Sequence, residues 1–135
     1  MAGFYIKKVI AKSATKGDAS VSFGNQLPVG YRTDVLDHCP KAEGMMLLIR
    51  SMSPQVLVTD EIGRPEDSLA LEEALHAGIK VVATAHGASR EELLSRPGTG
   101  TLLQNGFFQR VIFISRRQGP GTLEAVYDSE GRCLL

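Results

Sequence analysis

The feature that most constrains this chain is an alternation between residues 41 and 115, where short β-rich apolar runs are separated by stretches with helical spacing. Residues 55–60 (QVLVTD), 79–85 (IKVVATA) and 110–115 (RVIFIS) are rich in Val and Ile. Near-continuous apolar runs of this length suit strands covered on both faces, as in a parallel sheet. Residues 41–51 (KAEGMMLLIRS) read as a short, largely buried helix, with Pro40 in its first turn and Pro54 ending it. Pro65 opens a second helix. Glu66 and Asp67 lie in its first turn, where the helix dipole favours acids, and Gly78 suits the residue after its end. Ser89 and Glu92 form a capping-box pair that starts a third helix, stopped by Pro97. Residues 98–106 place three glycines around a helical turn.

Strand–helix–strand–helix–strand predicts the α/β class, with a mostly parallel central sheet and right-handed crossovers. Residues 122–128 (TLEAVYD) read as a closing strand, paired with 110–115 as a C-terminal hairpin across Gln118-Gly119-Pro120-Gly121. At the other end, residues 3–12 and 19–23 read as a hairpin around Thr15-Lys16-Gly17-Asp18. The irregular residues 24–30 mark a seam, and 31–39 are polar and unpatterned.

Composition bounds the partners. At 135 residues the chain is about one domain. Its 15 Lys and Arg balance 15 Asp and Glu, so no general field draws it to nucleic acid or anionic membrane. Hydrophobic residues make up 43%, which argues against disorder. The apolar stretches Met45–Ile49 and Ile112–Ile114 are too short to span a bilayer, and no N-terminal stretch has the make-up of a secretory leader. Cys39 and Cys133 make neither a disulfide framework nor a zinc site and read as two reduced thiols in a cytosolic protein.

In an open parallel sheet, ligands bind beyond the carboxyl ends of the strands. Here one such end carries Asp60-Glu61 and the next carries His86. An acidic pair after Val56-Leu57-Val58 has the form of a Walker B element. In that reading Asp60 holds Mg²⁺ through water, because this hard cation prefers oxygen ligands. Glu61 orients or deprotonates the attacking water, and His86 senses the γ-phosphate or bridges to Glu61. The plainer reading is a solvated strand end with acids favoured at the following helix start, and a loop histidine beside a glycine. A P-loop, G-x-x-x-x-G-K-[ST], is absent, since no Gly-Lys dipeptide occurs anywhere in the chain. Arg32, Arg50, Arg64, Arg90, Arg110, Arg116 and Arg117 fall near element ends. An arginine supplied across a subunit interface stabilises charge in phosphoryl transfer. Arg116-Arg117 reads equally as a solvated hairpin tip or a weak nucleic-acid contact.

From Tyr31 onward the sequence resembles the C-terminal part of the stage III sporulation protein AA family. The resemblance rests on Arg32-Thr33-Asp34-Val35-Leu36-Asp37-His38-Cys39-Pro40-Lys41-Ala42-Glu43-Gly44, Ile49-Arg50-Ser51-Met52-Ser53-Pro54 and Val58-Thr59-Asp60-Glu61-Ile62-Gly63-Arg64. Ala83-Thr84-Ala85-His86-Gly87 and Ser115-Arg116-Arg117-Gln118-Gly119-Pro120-Gly121 extend it. It implies an ATPase of RecA/AAA+ type, similar to the motors of type II and type IV secretion, with a three-layer core of which residues 31–135 are the later half. It also implies ATP and Mg²⁺ as ligands, and a cytoplasmic hexamer linked to the membrane-embedded channel between mother cell and forespore. On this analogy Asp60 and Glu61 are the Walker B pair and His86 is the histidine box. Arg32, Arg50 and Arg64 become candidates for nucleotide or intersubunit contacts.

Residues 1–30 depart from that pattern and instead resemble the opening hairpin of SMC- or ABC-type ATPase heads, after which a P-loop is expected. The chain thus reads as two ATPase pieces joined without the phosphate loop: a fragment, a fused gene or a chimera. The expectation is weak ATP binding and negligible turnover by the chain alone. The alternative is a non-catalytic assembly module derived from such an ATPase. Nucleic-acid binding through Arg110, Arg116 and Arg117 is opposed by zero net charge and few aromatics.

Overall fold

A computed structural model describes residues 9–12, 33–36 and 39–135. The elements run β1 (Val9–Lys12), β2 (Thr33–Leu36), α1 (Lys41–Met52), β3 (Val56–Thr59), α2 (Pro65–His76), β4 (Lys80–Ala83), α3 (Arg90–Ser95), α4 (Pro97–Gln104), β5 (Arg110–Ser115) and β6 (Thr122–Asp128). Among the described residues the fold is mixed α/β, with a four-stranded sheet in the order β2-β1-β3-β4 and a separate β5-β6 hairpin.

The expected helices and strands between residues 41 and 128 form, but the sheet is not mostly parallel. β3 and β4 are the parallel pair, with Leu57 opposite Val81 and Thr59 opposite Ala83. β1 runs antiparallel to both β2 and β3. β5 does not join as a third parallel strand. It pairs antiparallel with β6 instead, with an irregularity between Phe113 and Ile114. The physical reason is its alternation: Val111, Phe113 and Ser115 are half-buried while Arg110, Ile112 and Ile114 are exposed. That is the pattern of a hairpin with one wet face, not of a strand covered twice. The short turn to residue 122 also favours an antiparallel return over a crossover.

Residues 33–36 form a strand where the sequence is unpatterned. Of the expected N-terminal hairpin, residues 9–12 form β1, which pairs with β2 and β3. The second strand (19–23), its turn and the seam at 24–30 lie outside the described residues.

Alternation in β3 sends Leu57 and Thr59 under the helices while Val56 and Val58 are half-buried. Leu57 joins Met45 and Leu48 of α1, Ala70, Leu71 and Ala74 of α2, Ile79 and Leu102 of α4 in the core. Met45, Leu57, Leu71 and Leu102 are fully buried. Fully burying one such side chain contributes about 1.5–3 kcal/mol. α2 packs between α1 and α4, and α3 packs on α4. α4 carries glycines at two close approaches: a Cβ on Gly100 would fall 2.2 Å from the carbonyl oxygen of Leu94 in α3, and one on Gly98 would fall 3.0 Å from the carbonyl oxygen of Arg64. Among the described residues no helix is long and apolar enough to cross a membrane.

Candidate functional site

The parallel register of β3 and β4 brings their carboxyl ends side by side, and the chain leaves both in hydrogen-bonded continuity. Thr84 N–H donates to the Thr59 carbonyl (3.2 Å), and Ile62 N–H donates to the Thr84 carbonyl (2.8 Å). Between them Glu61 takes a left-handed backbone, φ 49°. This conformation is uncommon for a residue with a Cβ and costs about 1–3 kcal/mol unless its surroundings fix it. Two contacts fix it here. Glu61 N–H donates to Thr84 Oγ1 at 2.9 Å, and its carbonyl accepts from Lys41 Nζ at 2.8 Å.

This turn aims the Glu61 carboxylate across to the next strand end, where its Oε1 lies 3.0 Å from His86 Nε2. Their side chains are 52% and 37% exposed, so the pair is open to a ligand. Asp60 is buried, its side chain 8% exposed, and Lys41 Nζ lies 3.9 Å from its Oδ1. The hydroxyl of Thr59, just before it, is buried without a hydrogen-bond partner.

α3 anchors the segment carrying His86. The Arg96 guanidinium donates to the His86 carbonyl and to Glu92. Glu92 Oε2 accepts from Ala88 N–H (2.7 Å), and Ser89 Oγ accepts from Glu92 N–H (3.2 Å) as the expected cap. The Ala88 amide above all, then the Arg96 guanidinium, holds the Glu92 carboxyl below its ordinary range.

The sequence-predicted residues therefore divide. Glu61 and His86 meet, and the buried Asp60 adjoins Glu61 in the chain. Arg64 is exposed at the start of α2, four residues from Asp60, where its N–H donates to Asp67 Oδ2 at 3.3 Å. Asp67 is buried, and its own N–H returns to the Arg64 carbonyl at 3.1 Å. Arg50 lies nine residues beyond Lys41 on α1, about 13 Å along the axis. It faces Glu73 of α2 at 3.9 Å and does not reach the strand ends. Arg32 lies outside the described residues. Arg117 is held by Glu124 through two contacts of 3.1 and 3.2 Å, which raises its pKa and lowers that of Glu124. The hairpin-tip reading of Arg116-Arg117 thus has a built ion pair. Cys39 and Cys133 are exposed free thiols.

Sequence reasoning missed Thr84 and Lys41. Lys41 offered one cue, a cation at a helix N-terminus where the dipole disfavours it.

No cluster of three or more His, Cys, Asp or Glu able to hold a metal occurs among the described residues. The donor set still fits Mg²⁺ in one form. A single carboxylate at Asp60 suits a cation that keeps several waters and takes its remaining oxygens from phosphates. An all-protein cage is not available.

The family model for sporulation stage III, protein AA matches residues 9–134, reaching back into the segment before Tyr31. Stage III sporulation protein AA of Bacillus subtilis (strain 168) is 53% identical over 105 residues, covering 78% of this chain. The chain spans about a third, 34%, of that relative's length. No solved structure matches. The family match over nearly the whole chain and this level of identity agree, and the chain belongs to the stage III sporulation protein AA family.

Proposed function

We propose that this chain carries the Walker B part of a sporulation motor ATPase with a RecA-like core. The observation that supports it is the meeting of Glu61 and His86, 3.0 Å apart, beside the buried Asp60 at the ends of two parallel strands. Asp60 would hold Mg²⁺ through water. When bound, the cation would neutralise charge on the β- and γ-phosphate oxygens. The Glu61 carboxylate orients the attacking water and accepts its proton. His86 fixes that carboxylate through Nε2 and reports on the phosphate side of the site. Arg64 is close enough in sequence to the turn to meet a phosphate or a neighbouring subunit, whereas the placement of Arg50 against Glu73 suits a role between helices.

The chain has no G-x-x-x-x-G-K-[ST] string. Without backbone amides and a lysine to cradle the phosphates, ATP binding by the chain alone is weak and turnover negligible. In this reading the working assembly is a cytoplasmic homo-hexamer docked on membrane-embedded channel proteins. Calorimetric Mg·ATP binding that depends on Asp60 tests the proposal.

A second reading, an assembly module without catalysis, is favoured by one observation. Ile112, Ile114 and Leu123 of the hairpin are 55%, 40% and 48% exposed. Light scattering decides it: a strict monomer that takes up no partner counts against this reading.

A further inference from the structure

We propose that Lys41 is a positioning residue of this site, setting the direction of the Glu61 carboxylate. The proposal rests on the Walker B reading for its functional meaning, but its geometry does not.

Two observations carry it. Lys41 is the first residue of α1, twenty residues before Glu61, yet its Nζ reaches the Glu61 carbonyl at 2.8 Å. An ammonium at this end of a helix opposes the helix dipole, so local helix chemistry does not explain it. The carbonyl it holds belongs to the residue at φ 49°. The amide on the other side of that residue is held by Thr84 Oγ1 at 2.9 Å. The left-handed residue is therefore pinned on both sides, from α1 and from the loop after β4. Rotation about it would swing the Glu61 side chain away from His86.

Lys41 thus holds the Glu61–His86 geometry through the backbone, without touching either of those side chains.

The test compares Lys41→Met and Lys41→Arg in the 135-residue chain. The readout needs no nucleotide: the NMR signals of the His86 ring. Lys41→Met is expected to shift them in the direction produced by Glu61→Gln. Lys41→Arg, which keeps charge and donors, restores the wild-type position. His86 signals unmoved by Lys41→Met in a folded chain, or moved equally by Lys41→Arg, overturn the positioning role. If Mg·ATP binds wild type without regard to Asp60 while the His86 signals still follow Lys41, the nucleotide reading falls and the positioning role stands.

Discussion

Glu61 offers a test of the site's backbone that needs neither nucleotide nor activity. Its φ of 49° puts a side-chain-bearing residue in the left-handed region. Replacing it by alanine and by glycine removes the carboxylate and the His86 contact equally, so the difference between the two variants isolates the backbone. A left-handed conformation costs an L residue about 1–2 kcal/mol, which glycine escapes. Glycine's greater freedom in the unfolded chain takes back about 0.4–1 kcal/mol. Glu61→Gly is therefore expected to be more stable than Glu61→Ala by about 0.5–1 kcal/mol. At an ordinary helix or strand position the order reverses, with glycine worse by roughly 0.5–1 kcal/mol. For a chain of 135 residues, an unfolding entropy of about 2 cal/mol/K per residue turns that gap into about 2–4 °C in Tm. Urea unfolding of both variants, read as a change in midpoint at constant slope, measures the same gap. An alanine variant at least as stable as the glycine variant refutes the left-handed turn, and with it the route by which Glu61 reaches His86.

Two further predictions concern the scaffold. Gly100→Ala places a methyl group 2.2 Å from the backbone oxygen of Leu94, so α3 and α4 must move apart. After the helix-propensity gain of about 1 kcal/mol, a net loss of about 1–3 kcal/mol is expected in chemical unfolding, and a stabilised variant contradicts the helix contact. The Asp128 carboxyl is held below the usual carboxylate range, first by the Arg132 backbone N–H (2.9 Å) and also by the Arg132 guanidinium (2.8 Å). A depressed folded pKa contributes stability that is present above the unfolded pKa and lost as pH falls through the folded one. Asp128→Asn is accordingly expected to flatten the acid limb of stability below about pH 4, while equal acid sensitivity in both proteins contradicts it.

The sequence was legible where one physical signal dominated. Val56-Leu57-Val58 and Val81-Val82 could be little but strands, the prolines at 54, 65 and 97 punctuated the helices, and Ser89 capped α3 as its spacing with Glu92 required. Because β3 and β4 are parallel and adjacent, the strand-end rule anticipated the meeting of Glu61 and His86. What escaped was set by tertiary contact. Thr33–Leu36 is a strand because β1 pairs with it, not because of its own pattern. The RVIFIS run has the composition of a buried strand but lies in a hairpin, and composition does not report which face is wet. The glycines of α4 read as residues of a helical turn, but the reason for them, the close approach of Leu94 to Gly100 and of Arg64 to Gly98, is tertiary. Lys41 lies twenty residues from the atom it holds, a separation that no local motif spans.

The central claim is that Asp60 and Glu61 form the metal-and-water side of a nucleotide site. Titration calorimetry of ATP into the chain, with Mg²⁺ and with a chelator, on wild type and Asp60→Ala, tests it most directly. The account predicts weak binding, with a Kd of roughly millimolar, that requires both Mg²⁺ and Asp60. Binding of equal strength in Asp60→Ala, or no binding to wild type up to about 10 mM ATP, contradicts it.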